Sequence, residues 1–261
     1  MSTPLLKVTD ATVRFGGLTA VDHVSFEVRR GELLGLIGPN GAGKTTALRS
    51  VTGVVKLAEG SIELDGERID HLPIERRIWK GLSLSQQLVK PLHGMTLLDN
   101  VALAAASKKT VSPLKALFHV DSSGERHIAQ AMLDMVGIGA LGNQMPRIQP
   151  LGILKRLEMA RALALNPKLF LLDEPLAGLN SKEARDLATT IAELNEAGTT
   201  IVLIEHNLGE VIRICQRLVV LDNGRKIADG EPRAAMNDSQ VRAAYLGGDA
   251  VADKGGAHAA P

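Results

Sequence analysis

Cysteine is nearly absent from this chain: Cys215 stands alone among 261 residues. That excludes an internal disulfide framework and a cysteine-based zinc site, and it suits a reducing compartment. Aromatic residues make up only 2% of the sequence, so a ring at a strand end, such as Phe15, stands out. No run of about 18 apolar residues occurs, so the chain is not expected to span a bilayer by itself. The N-terminus MSTPLLKVTDATVRF shows no charged leader followed by a long apolar stretch, and no signal peptide is expected. Charge of one sign is also missing: 30 Lys and Arg face 29 Asp and Glu, a net charge of +1. That leaves no broad field for gathering DNA or RNA, and no nucleic-acid partner is expected. No internal repeat is present.

With 45% hydrophobic residues, the chain has enough apolar mass to fill a core. From Leu5 to Gly66 it is strand-rich, in short apolar or alternating runs such as LLKVTDATVRF, VDHVSFEV and ELLGLIG. The character changes near Leu88. TLLDNVALAAA and the segment Glu125 to Val136 have helical spacing, with a polar loop from Ser107 to Gly124 between them. From Leu157 helices and strands alternate again, and KLFLLDE, TTIVLIE and RLVVL are almost wholly apolar, as parallel strands covered on both faces should be. The expected organisation is one α/β domain over residues 5–246, with a helical insert at about 88–156. The tail 247–261, GGDAVADKGGAHAAP, has no periodicity and reads as disordered.

The stretch GPNGAGKTT, Gly38 to Thr46, follows an apolar strand and opens a helical run. It satisfies the G-x-x-x-x-G-K-[ST] phosphate-loop pattern in its required context. Its residues Gly38, Pro39, Asn40, Gly41, Ala42, Gly43, Lys44, Thr45 and Thr46 are the candidate nucleotide cradle. The glycines free consecutive N–H groups to point into one concavity, and the following helix adds its positive dipole end. Lys44 is expected to reach the β- and γ-phosphates, Thr45 to place its hydroxyl on Mg²⁺, and Thr46 to donate to the α-phosphate. A nucleoside triphosphate with Mg²⁺ is thus implied, and the family resemblance drawn below makes that nucleotide ATP.

A phosphate loop alone defines a large class, and LFLLDEP narrows it. Asp173 and Glu174 end a buried strand, at the sheet edge where ligands of open α/β sheets collect. Asp173 is placed to hold Mg²⁺ through water, and Glu174 to act as general base on the water attacking the γ-phosphate. The strand TTIVLIE ends at the same edge in Glu205, His206 and Asn207. His206 is therefore a candidate for hydrogen bonding the γ-phosphate or that water.

In this order, these motifs resemble the nucleotide-binding subunit of an ABC transporter, over about Leu5 to Gly247. The resemblance implies a P-loop NTPase (RecA-like) α/β core, an N-terminal antiparallel β subdomain and a helical insert carrying a degenerate ABC signature. It implies adenine stacking by Phe15, although a Phe at a strand end could equally be core. It also implies a nucleotide-sensing, Mg²⁺-touching glutamine at Gln87, with Gln86 as the alternative, and contact between Leu88 to Thr96 and a membrane partner. Asn180, in AGLN, stands where many members of the family have aspartate and is implied to bridge two subunits. More narrowly, RFGGLTAVDHVSFEV, MTLLDNV, LDEPLAGLN, LIEHN and AYLG resemble the ATPase subunits of branched-chain amino acid importers. That implies integral-membrane permease subunits, a second and non-identical ATPase, a periplasmic solute-binding protein, and a peripheral position on the cytoplasmic face of the inner membrane. Import of another small organic acid or amide, or a non-transport ABC ATPase role, is the alternative.

The family's L-S-G-G-Q signature is altered here to Gln149, Pro150, Leu151, Gly152, Ile153 and Leu154. Proline takes the serine position, and the glutamine amide is gone. Gly152, the free N–H groups of a helix start and its dipole still make an anion site. Either these backbone donors replace the serine, or the site they complete is catalytically weak. A nucleic-acid ABC machine is disfavoured by the lack of a second phosphate loop or sustained heptads. A GTPase is disfavoured by the lack of an N-K-x-D motif, and a pure binding module by the poised base Glu174.

Overall fold

The computed structural model describes residues 3–85, 91–107 and 123–252. The N-terminal strands β1 (Leu6–Phe15) and β2 (Leu18–Val28) pair antiparallel. With β4 (Glu59–Leu64) and β5 (Glu67–Arg68) they form a four-stranded sheet of order β2-β1-β4-β5. Strand β3 (Leu33–Ile37) leaves this sheet and enters a second one of order β10-β9-β3-β8-β7-β6. Its other members are β6 (Leu82–Ser85), β7 (Leu169–Asp173), β8 (Thr200–Ile204), β9 (Arg217–Asp222) and β10 (Arg225–Gly230). All neighbours pair parallel except β9 and β10, which form an antiparallel edge.

The helices are α1 (Lys44–Thr52), α2 (Ile74–Trp79), α3 (Leu97–Ser107), α4 (Ser123–Met135), α5 (Leu151–Ala164), α6 (Ser181–Glu196), α7 (Leu208–Ile214), α8 (Pro232–Asn237) and α9 (Ser239–Ala252). Two apolar cores sandwich the parallel sheet. Leu169 and Leu171 of β7 face the core shared with the antiparallel sheet and α1, while Phe170 and Leu172 face the core built by α3, α4, α5 and α6. Burial of alternate residues on opposite faces is why the strand reads as one unbroken apolar run.

Three features depart from the sequence reading. Strand β6 interrupts the approach to the helical insert, and β10 adds an edge strand that the motif RLVVL did not announce. Helix α9 continues past Gly247 to Ala252, into the tail expected to be disordered. The helical insert itself follows the expected spacing, with α3 and α4 packed on each other and on α5.

Candidate functional site

The phosphate loop sits at the C-terminal end of β3, beside the ends of β8 and β9. Gly38 has φ +147°, and a Cβ there would lie 2.0 Å from the Leu221 carbonyl oxygen, so no other residue fits. Gly43 caps α1 at φ +96° and offers no side-chain bond, which leaves the first N–H groups of the helix to a ligand. Thr45 and Thr46 follow, half-buried. Lys44 is buried, and its Nζ donates to the carbonyls of Gly38 at 2.8 Å and Pro39 at 2.9 Å. Its loop thus satisfies the ammonium, and a phosphate must take over those bonds. Burial pulls the Lys44 pKa down, while the carboxylates of Glu174 and Asp173 hold it up.

Asp173 closes β7, and its Oδ1 is buried with no hydrogen-bond partner. Burial first, then the Glu174 charge, raise its pKa, against the pull of Arg49, His206 and Lys44. An orphaned carboxylate oxygen beside a hydroxyl-bearing phosphate loop fits a Mg²⁺ site, because that ion takes one or two protein oxygens and completes its shell with phosphate and water.

Glu174 adopts a left-handed backbone, φ +52°, rare outside glycine. Both sides of the residue are tied down. Its N–H donates to Ile204 O at 2.9 Å, and its carbonyl accepts from Ala177 N–H at 3.2 Å and from Lys155 Nζ at 3.3 Å. The turn aims the carboxylate at His206, whose Nε2 lies 2.8 Å from Glu174 Oε1. Lys44, Asp173, Glu174 and His206 are thereby brought to one sheet edge, as the motifs required.

Two buried groups of this edge were missed. Glu205 accepts the Leu176 N–H on Oε1 and the His206 N–H on Oε2, so it fixes the loop after Glu174 and the backbone of His206 together. Lys155, a charged residue of α5, is buried against Glu174 and Glu205. The available signal was position: Glu205 directly continues the all-buried strand β8.

Phe15 is 52% exposed at the open end of β1, opposite Leu18, so the alternative of a core residue fails. Asn180 serves as the N-cap of α6: its Oδ1 accepts from Lys182 N–H and Glu183 N–H, and Glu183 Oε2 accepts in return from Asn180 N–H. Gly152 is the second residue of α5, which begins after Pro150 without any side-chain cap. It lines a cavity of about 160 Å³ with Pro150, Ile153, Leu179 and Glu183, among others. Strand β6 ends at Ser85, paired with Leu172 next to Asp173. Gln86 and Gln87 beyond it, and Leu88 to Lys90 of the expected membrane-partner segment, lie outside the described residues.

A parallel sheet carrying a phosphate loop and an acidic pair at its C-terminal edge, with an antiparallel subdomain and a helical insert, defines an ATP-binding cassette of the P-loop NTPase class. Residues 21–177 match the ABC transporter family, and residues 225–251 match the branched-chain amino acid ATP-binding cassette transporter family. The high-affinity branched-chain amino acid transport ATP-binding protein BraF of Pseudomonas aeruginosa is 38% identical, over 95% of this chain and 99% of that protein. LivG of Salmonella typhimurium, of the same description, is 38% identical over equal shares. Among solved structures, the ADP conformation of MJ1267, an ATP-binding cassette of an ABC transporter, has a TM-score of 0.83 and 30% identity, over 94% of this chain and 100% of that one. The cassette MJ0796 in a dimeric post-hydrolysis state with ADP and Pi has a TM-score of 0.74 and 25% identity, over 87% and 99%. The chain therefore belongs to the ABC transporter family, as an ATP-binding and ATP-hydrolysing subunit. Among the described residues no helix is long and apolar enough to cross a membrane.

Proposed function

We propose that the chain powers the uptake of branched-chain or related amino acids, from the cytoplasmic face of the inner membrane. It does so with integral-membrane permease subunits, a non-identical second ATPase and a periplasmic solute-binding protein. The observation that carries the amino-acid assignment is the match of residues 225–251 to the branched-chain cassette family, joined to relatives of that description along nearly the whole chain. ATP lies on the Gly38 to Thr46 loop, with Phe15 against the adenine. Thr45 and Asp173 would hold Mg²⁺, with Gln87 as a further contact; the ion neutralises phosphate charge when bound.

Lys44 exchanges the Gly38 and Pro39 carbonyls for phosphate oxygens. Glu174 orients and deprotonates the attacking water, and His206, hydrogen-bonded to it, holds that carboxylate in place and faces the γ-phosphate. Gly152 and the N–H groups that open α5 meet the nucleotide bound to the opposite subunit, and Asn180 lies at the same subunit boundary. The test is ATP turnover of the complex reconstituted in membranes, with the solute-binding protein loaded with leucine, isoleucine or valine. Stimulation by these amino acids is expected. Turnover indifferent to every amino acid tried would refute the assignment.

A further inference from the structure

Strands β7 and β8 run side by side as far as the pair Asp173 and Ile204. Beyond that pair the ladder ends, and two separate loops carry Glu174 and His206 into the site. The hydrogen bond that joins their side chains, 2.8 Å from His206 Nε2 to Glu174 Oε1, lies at the surface, with the histidine side chain 44% exposed. Water competes for both partners of such a contact, so it fixes geometry weakly. A buried polar assembly lies behind it. Glu205 is only 3% exposed and Lys155 only 6%. Glu205 Oε1 accepts the N–H of Leu176, two residues past Glu174, and Oε2 accepts the His206 N–H at 3.1 Å. An ionised carboxylate only accepts, so it serves both donors at once. Lys155 Nζ, arriving from α5, donates to the Glu174 carbonyl at 3.3 Å, and its charge is felt by both Glu205 and Glu174.

We propose that Glu205 is a positioning residue for ATP hydrolysis: its buried carboxylate, with Lys155 behind it, sets the register between Glu174 and His206. Bonds in this low-polarity interior are stiffer than the exposed one they support. Glu174, held left-handed at φ +52°, has Lys155 on its carbonyl and, through Leu176, Glu205 on the turn that follows. The same Glu205 side chain holds the backbone of His206. With both loops tied to one carboxylate, the two functional side chains keep a fixed relation that their own exposed contact is too weak to impose. The proposal rests on the reading of Glu174 as the base and His206 as its partner, and it is independent of the transported solute.

Glu205→Gln is nearly isosteric, but its NH2 would face one of the two N–H donors and lose that bond. In the assembled transporter, kcat per nucleotide-binding chain should fall about tenfold to hundredfold, as slight misplacement of reacting groups does, while the Kd for a fluorescent ATP analogue stays within about twofold of wild type. A group that served stability alone would lower the unfolding temperature and the fraction of chains that bind ATP, and would leave kcat per binding chain unchanged; that result overturns the proposal. The fall should also be at least about threefold smaller on a His206→Ala background, because a register needs both members. An equal fall on both backgrounds overturns the proposal too. Lys155→Met keeps the stem and both Glu205 bonds; it should lower kcat about threefold to tenfold, and it carries the test should Glu205→Gln not fold. Unchanged kcat in Lys155→Met again overturns the proposal. Glu174→Gln, run alongside, separates the two failures: turnover lost there but kept in Glu205→Gln and Lys155→Met removes the buried clamp alone, whereas turnover kept in all three removes base and clamp together.

Discussion

At Glu174 the chain accepts a left-handed backbone that costs a non-glycine residue about 1–2 kcal/mol, and three hydrogen bonds to its N–H and carbonyl sustain it. The gain is direction, since the carboxylate then meets His206. Replacing Glu174 with Gln should lower ATP hydrolysis of the assembled transporter by about 10²- to 10⁴-fold while the chain still binds ATP. Unaltered turnover would remove Glu174 from the chemistry. Asp173 makes a prediction about pH. Its pKa is raised above the ordinary 3.8 by burial and by Glu174, so the folded chain holds that proton more tightly than the unfolded one. Stability is therefore lost as pH rises from 3.8 through the folded value, and the whole loss is present above it. Nucleotide-free Asp173→Asn protein should accordingly unfold at a higher temperature than wild type at pH 7, with the gap closing toward pH 4, while its Mg-ATP hydrolysis collapses. A wild-type chain more stable than Asp173→Asn at pH 7 would contradict this account of the site. Both acids were legible from LFLLDE because a charged pair ending an apolar run has few other uses. Glu205 was not, because its role depends on the Leu176 N–H, supplied by a loop far away in sequence.

Among the elements, α5 is the one that opens with the altered signature. Pro150 supplies the extended backbone of an N-cap, φ −66° and ψ 161°, but no hydroxyl. The N–H groups of Leu151 and Gly152, in the first turn, are left for an anion. If these backbone donors and the helix dipole suffice, Pro150→Ser should leave ATP turnover of the complex within about twofold of wild type. A rise of tenfold or more would mark the native end as a weakened site. The same helix shows where residue type misleads. Lys155 and Arg156 are of types usually left in solvent, yet Lys155 reaches Glu174 O, and Arg156 reaches Val136 O and Thr190 Oγ1. A long cationic side chain can bury its stem and deliver its charge to carbonyls that no local pattern encodes.

For the whole molecule, the alternation of apolar strands and helices was enough to read the α/β core, because strands buried on both faces leave an unmistakable pattern. The β10 edge and the end of α9 escaped, since one is a half-exposed strand of mixed composition and the other a helix of small residues. The signature end of α5 adjoins Leu179 and Glu183, and under the dimeric arrangement proposed above it would serve the opposite nucleotide. ATPase activity of the purified chain, if it pairs with itself, should therefore rise more steeply than linearly with protein concentration. Strict proportionality would mean that one chain suffices. The stretch from Glu174 to Asn180 carries a last consequence. The amides of Glu174, Leu176, Ala177, Leu179 and Asn180 and the α6 capping box are already bonded within the lone chain, so little of that segment has to freeze when a second subunit arrives. Ordering would otherwise charge the encounter about 1–2 kcal/mol for each residue immobilised. Along this stretch two subunits would meet as finished surfaces, and the speed of their engagement there would be governed by diffusion and orientation, not by loop folding.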